Sequence, residues 1–168
     1  SGDILGINVK KIIPNHLSIE QTVREIRKQG GIAVVPHPFD RPLTGFWGGE
    51  KKLSTVDIDC VEVFNAGVIS RRANQKARNF ARENNLPFTA GSDAHKAKFV
   101  GRGYLEFSDR VRSAEDLIEE IINKRVEAKG KILSLREVFK NSTNANMGKV
   151  FSFCCLRFKN RKKNRIKI

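Results

Sequence analysis

Between Gly31 and Pro36 runs an uninterrupted apolar stretch, Gly31-Ile32-Ala33-Val34-Val35-Pro36, closed by a helix-stopping glycine pair on one side and a proline on the other. A strand with one wet face alternates polar and apolar residues. A run with no polar interruption suits a strand buried on both faces, as in a parallel sheet covered by helices. The surrounding sequence repeats that logic. Residues 4–9 read as a strand and Pro14-Asn15 as a turn, and Ser18 with Gln21 has capping-box spacing for a helix carrying Ile19, Val23 and Ile26 on one face until Gly30-Gly31. Residues 40–55 read as a long loop. Val61–Phe64 is the next strand, Ser70 opens a helix to about Asn85 with Ala73, Ala77, Phe80 and Ala81 inward, and residues 87–91 and 103–107 are further strands. Ser113 starts a helix with Leu117, Ile118, Ile121 and Ile122 on its core face. Strand followed by helix, four times over, predicts an α/β fold with a parallel sheet or barrel.

Charge separates the chain into a body and a tail. The 168 residues carry a formal net charge of +14, but residues 1–128 hold 20 basic and 17 acidic side chains, whereas residues 129–168 hold 12 basic side chains and Glu137. A wholly basic nucleic-acid-binding domain is disfavoured by that split. The strand–helix pattern fades after about residue 140, so residues 1–140 read as the domain and 141–168 as a basic tail. Three cysteines, Cys60, Cys154 and Cys155, suit neither a disulfide framework nor a four-thiolate zinc site, which points to a reducing, cytoplasmic setting. No apolar run reaches the roughly 18–20 residues a membrane-spanning helix needs, and no signal-peptide pattern opens the chain.

Of three histidines, two end predicted strands. His37 follows the buried run in Pro36-His37-Pro38-Phe39-Asp40-Arg41, and Asp93 and His95 follow the strand at 88–90 in Gly91-Ser92-Asp93-Ala94-His95. Parallel strands deliver their C-terminal ends to one face, where ligands gather. Imidazoles with a carboxylate are the usual ligands of Zn²⁺, Mn²⁺ or Fe²⁺. The competing reading makes the histidines polar turn residues and Asp93 a helix cap. Two strand-end sites of coherent chemistry favour metal.

The stretches GGIAVVPHPFDR, VEVFNAGV and AGSDAH, in that order over residues 3–135, resemble the later motifs of the polymerase and histidinol phosphatase (PHP) superfamily. They are most similar to its stand-alone metal-dependent phosphoesterases. The resemblance implies the C-terminal part of a distorted (β/α)7 TIM-like barrel with two or three metal ions at its strand ends. It assigns His37, Asp93 and His95 as metal-ligating, active-site residues. It also implies hydrolysis of a phosphate ester by a metal-bound hydroxide, the substrate being a phosphorylated small molecule or nucleotide. The family's earlier His-x-His motif and second-motif Glu have no counterpart here, so the resemblance is to the C-terminal half, with the N-terminal ligands lacking and activity of this chain alone expected to be poor.

Other residues carry weaker expectations. Arg41 is a candidate bidentate hydrogen-bond donor to a substrate phosphate, and Asn65 a candidate substrate-binding residue at a strand end. Glu62 lines the same mouth or faces a helix, Asp40 reads as a turn residue, Trp47 lies on a loop beside the site or pins it, and Ser92 reads as turn chemistry. No Gly-Lys-Ser/Thr phosphate loop is present. The tail packs back on the domain, reaches nucleic-acid phosphates, or lies on an anionic membrane beside Cys154-Cys155. Two rival functions follow: a non-catalytic nucleic-acid- or protein-binding module derived from a PHP domain, and a metal-dependent hydrolase of carbon–nitrogen bonds. The oligomeric state is left open.

Overall fold

The structure, a computed structural model, describes residues 3–40, 49–68, 70–107, 111–142 and 156–158. Four strands, β1 (Leu5–Ile7), β2 (Ile32–Val35), β3 (Cys60–Asn65) and β4 (Phe88–Gly91), form one sheet in the order β1-β2-β3-β4. Strands β2, β3 and β4 are mutually parallel. Strand β1 joins β2 antiparallel, with Leu5 opposite Val34 and Ile7 opposite Ile32.

The apolar runs predicted to be buried on both faces are so buried. Ile32, Val34, Cys60 and Phe64 enter one core cluster, and Ala33, Val35, Val61 and Val63 enter the other. Successive residues of a strand point to opposite faces, so a run that feeds two cores cannot alternate in polarity. Helices α1 (Ile19–Lys28) and α3 (Arg71–Glu83) cover the second face, contributing Val23, Ile26, Phe80 and Ala81. The Ser18–Gln21 capping box forms as its spacing predicts: the Gln21 N–H donates to Ser18 Oγ and the Ser18 N–H to Gln21 Oε1. Ser70 sits at the N-cap of α3 without a capping hydrogen bond from its side chain.

A second sheet contains β5 (Gly103–Phe107) between β6 (Glu127–Gly130) and β7 (Leu156–Phe158). Strand β6 runs antiparallel to β5, and β7 parallel to it. Helix α4 (Ala114–Ile122), opened by a Ser113–Asp116 capping box, brings Leu117 and Ile121 against Leu105, Phe107 and Ala90 in the first core. Expectation and structure part in several places. The sheets are mixed: β1 pairs antiparallel with β2 and β6 with β5, although each connection is long enough to carry a helix. The segment read as a loop at 40–55 contains a short helix, α2 (Gly49–Leu53), whose Leu53 is buried. Helix α5 (Leu135–Ser142), which ends close to residue 140, is not among the helices expected from the sequence. The fold is mixed α/β.

Candidate functional site at the strand ends

Because β2, β3 and β4 are parallel, their C-terminal ends open on one side. His37 lies two residues beyond β2, Asn65 ends β3, and Asp93 lies two residues beyond β4. Both His37 (φ 29°) and Asp93 (φ 49°) have left-handed backbone. Non-glycine residues reach that region only where their surroundings hold them there.

Glu62 connects these positions. It is 5% exposed, and its Oε2 accepts the His37 N–H at 2.8 Å and the Asn65 side-chain amide at 2.9 Å. Asn65 Oδ1 in turn accepts the Gly67 N–H at 2.8 Å. Gly67 stands against Asp93: a β-carbon there would lie 3.1 Å from Asp93 Cβ and 3.3 Å from Oδ2. Gly91 makes room for the carboxylate itself, since a β-carbon at that position would come within 2.5 Å of Glu62 Oε1. Helix α3 fastens the arrangement from behind, with Asn74 Oδ1 accepting the Asn65 N–H and Asn74 Nδ2 donating to the Asn65 carbonyl. Burial pushes the Glu62 carboxyl up to about 7. The Asn65 amide, the nearby His37 ring and the His37 N–H oppose that rise, and the negative charge of Asp93 adds to it. His37 and Asp93 thus act on one buried carboxyl from two sides.

Asp93 and His95 are held by a residue far along the chain. Asn141, buried on α5, accepts the His95 N–H at its Oδ1 (2.8 Å) and donates from Nδ2 to the Asp93 carbonyl (2.8 Å). His95 Nδ1 lies 3.1 Å from the same carbonyl and 4.0 Å from Asp93 Oδ1. With the proton on Nδ1 donating to that carbonyl, Nε2 keeps its lone pair for a ligand.

The structure therefore gathers His37, Glu62, Asn65, Asp93 and His95 along one set of strand ends. Asn65 is 1% exposed and both ends of its amide are engaged, so its observed contacts are with Glu62 and the 65–67 turn. Asp40 is buried, and its N–H donates to the His37 carbonyl, a turn contact. Ser92 is also buried. Arg41 and Trp47 lie outside the described residues. Glu62 carried a signal in the sequence, an acid flanked by Val61 and Val63 inside a buried strand. Asn141 carried none, because its partners lie 46 and 48 residues away.

Part of this set suits a divalent metal. His37 Nδ1 is buried without a hydrogen-bond partner among the described residues, and imidazole and carboxylate donors are of the right chemistry. The number is insufficient: among the described residues, no three His, Cys, Asp or Glu side chains converge on one point as a metal site. No described helix is long and apolar enough to cross a membrane.

Residues 71–126, which run from the start of α3 to the turn before β6 and include Asp93 and His95, match the family model described as PHP-associated. The uncharacterized protein MJ0417 of Methanocaldococcus jannaschii is 33% identical over 122 residues, 70% of this chain and 52% of that protein. The uncharacterized protein MJ1587 of the same organism is 38% identical over 79 residues, 45% of this chain and 44% of that protein. This chain therefore spans about half the length of the curated relatives it matches. Among solved structures, a two-domain protein from Bacteroides vulgatus containing a predicted PHP-like metal-dependent phosphoesterase superposes with a TM-score of 0.50 at 22% identity, covering 76% of this chain and 41% of that one. That likeness is one of fold. Residues 71–126, spanning α3, β4, β5 and α4, thus carry a PHP-associated region, in a chain whose fold is like that of the PHP-like neighbour.

Proposed function

We propose that this chain is the C-terminal part of a metal-dependent phosphoesterase, in which His37, Asp93 and His95 supply some of the ligands of a divalent metal site and donors outside the described residues complete it. The observation that carries the reading is the hydrogen-bonded path from the His37 N–H through Glu62 and Asn65 to Gly67 against Asp93, with Asn141 clasping Asp93 to His95. Second-shell bonds of this kind set the direction and tautomer of ligating side chains. A divalent ion bound there supplies Lewis-acid stabilisation to the phosphoryl oxygens of an ester. Arg41, four residues past His37, is the proposed contact to a substrate phosphate. Asn65 serves that substrate indirectly, by holding Glu62 and the 65–67 turn in place.

Calorimetric titration of the full chain with Mn²⁺ tests this, paired with hydrolysis of bis-p-nitrophenyl phosphate. Weak but saturable Mn²⁺ binding is expected, reduced about tenfold by Asp93→Asn or His95→Ala, with little turnover by this chain alone. Unchanged Mn²⁺ affinity in both variants overturns the assignment. The incomplete donor set among the described residues favours one second reading, a non-catalytic module derived from a PHP domain. That reading predicts no Mn²⁺ dependence at any of the three positions.

A further inference from the structure

A cavity of about 530 Å³ opens between α3 and the β5–β6 pair, lined by Phe64, Arg78, Arg102, Tyr104, Lys129 and Lys131, with Gly101, Ala128 and Gly130 completing its wall. None of the strand-end residues His37, Glu62, Asp93 or His95 lines it. We propose that this cavity is a binding site for a phosphorylated organic anion of nucleotide size.

The charge pattern points to the anion. Four cationic residues line the cavity and, among the described residues, no acidic one does. Two of them are fixed by acids that stand outside the lining. Lys129 Nζ bridges Glu106 and Glu127 at 2.6 and 2.8 Å, and Arg102 pairs with Glu137 at 2.6 Å. These pairs hold the wall in shape and take up much of its charge. The other two, Arg78 and Lys131, are exposed and form no ion pair with a described residue; Lys131 shares the field of Glu137 with Arg102, so Arg78 supplies most of the unpaired positive charge. The Arg78 guanidinium lies over the Phe64 ring, 6.0 Å from its centroid, which restrains a group able to bind phosphate in a bidentate manner and to stack on a planar ring.

The space is built into the sheet. Gly103 and Gly130 are paired across β5 and β6. A β-carbon on Gly103 would collide with the Gly91 carbonyl oxygen, and one on Gly130 would collide with the Arg102 carbonyl oxygen and lie 2.6 Å from Phe64 Cε1, so neither position admits a side chain. The volume falls within the range of small-molecule sites, about 300–1,000 Å³, and exceeds what a bare phosphate fills. Tyr104 and Phe64 add aromatic surface for the organic part.

Titration calorimetry of the full chain at low salt with adenosine 5′-monophosphate, adenosine and inorganic phosphate tests the site. Saturable binding of the monophosphate is expected, with adenosine and phosphate each binding more weakly. The Arg78→Gln/Lys131→Gln pair should weaken monophosphate binding about tenfold or more; Lys131→Arg should largely keep it, and Arg78→Lys should lose part of it, since lysine makes no bidentate, stacked contact. If the first pair lowers the thermal midpoint, Lys131→Gln alone carries the test. Lys162→Gln/Lys163→Gln in the basic tail and His95→Ala at the strand ends should leave the affinity unchanged. Absence of saturable binding, indifference to Arg78 and Lys131, or loss in the tail or His95 variant overturns the site. Inorganic phosphate or adenosine binding as tightly as the monophosphate overturns the stated ligand class. Failure of Mn²⁺ binding at the strand ends would leave this result untouched, so the two proposals fail separately.

Discussion

The two sheets solve the burial problem differently. In β2 and β3 every residue is buried, because a helical layer lies on one side and the second sheet and α4 on the other. In β5 burial alternates, Gly103, Leu105 and Phe107 inward, while β6 keeps no residue fully buried and is secured in part by Lys129 between Glu106 and Glu127. The parallel sheet carries the strand-end cluster on well-packed strands. The antiparallel pair borders an open cavity whose shape depends on glycines and ion pairs. Rigid placement of a few donors and accommodation of a larger anion are thus assigned to different sheets.

The largest expected difference is in stability. Phe80 on α3 is 2% exposed beneath the parallel sheet, with Phe39 edge-on to it at 5.8 Å. Phe80→Ala should cost about 3–5 kcal/mol, read by denaturant unfolding. Alanine in place of Lys131, on the cavity wall, should barely move the midpoint. Equal losses would erase the contrast between the sheets.

A pH effect of slightly smaller size belongs to the parallel sheet alone. Burial raises the Glu62 pKa from 4.5 to about 7 in the folded chain. The folded state then binds this proton more tightly than the unfolded state. The contribution is therefore fully present below about pH 4.5, falls as pH rises towards 7, and is constant above that. The total is about 3 kcal/mol for a shift of that size. Glu62→Gln keeps an oxygen to accept from the His37 N–H and the Asn65 amide, and should remove this fall. Urea unfolding of both chains at pH 4.5, 6 and 7.5 measures it, and identical slopes would show that the carboxyl is not held in a desolvating site.

The smallest effect is at the helix caps, where both sheets' helices use the same device. Ser18→Ala and Ser113→Ala should each cost about 1 kcal/mol by thermal unfolding. A larger loss at Ser113 would show that α4 depends more on its cap than on the Leu117 and Ile121 contacts.

The same contrast explains what could be read from the residues. The runs 31–36 and 61–64 announce doubly buried strands, and the serine caps announce where α1 and α4 begin. Strand β6, Glu-Ala-Lys-Gly, has no periodic apolar signal, because pairing with β5 and charge partners across the sheet place it. Helix α2 lies within a glycine-rich, polar stretch that carries no apolar period. At the strand ends, His37, Asp93 and His95 were legible as strand-end donors, and the fold brings their loops to one side. The linking roles of Glu62 and Asn141 required the tertiary structure: the first is set by burial, the second by a helix closing on a turn 46 residues earlier.

The central claim, that His37, Asp93 and His95 form one metal-binding end of the parallel sheet, is tested most directly by paramagnetic Mn²⁺ in NMR spectra of the full chain. Substoichiometric Mn²⁺ should first broaden the backbone amides at 37, 93–95 and 141, and His95→Ala should abolish that selectivity. Broadening confined to the exposed carboxylates at Glu115 or Glu119, with the strand-end amides unaffected, would contradict it.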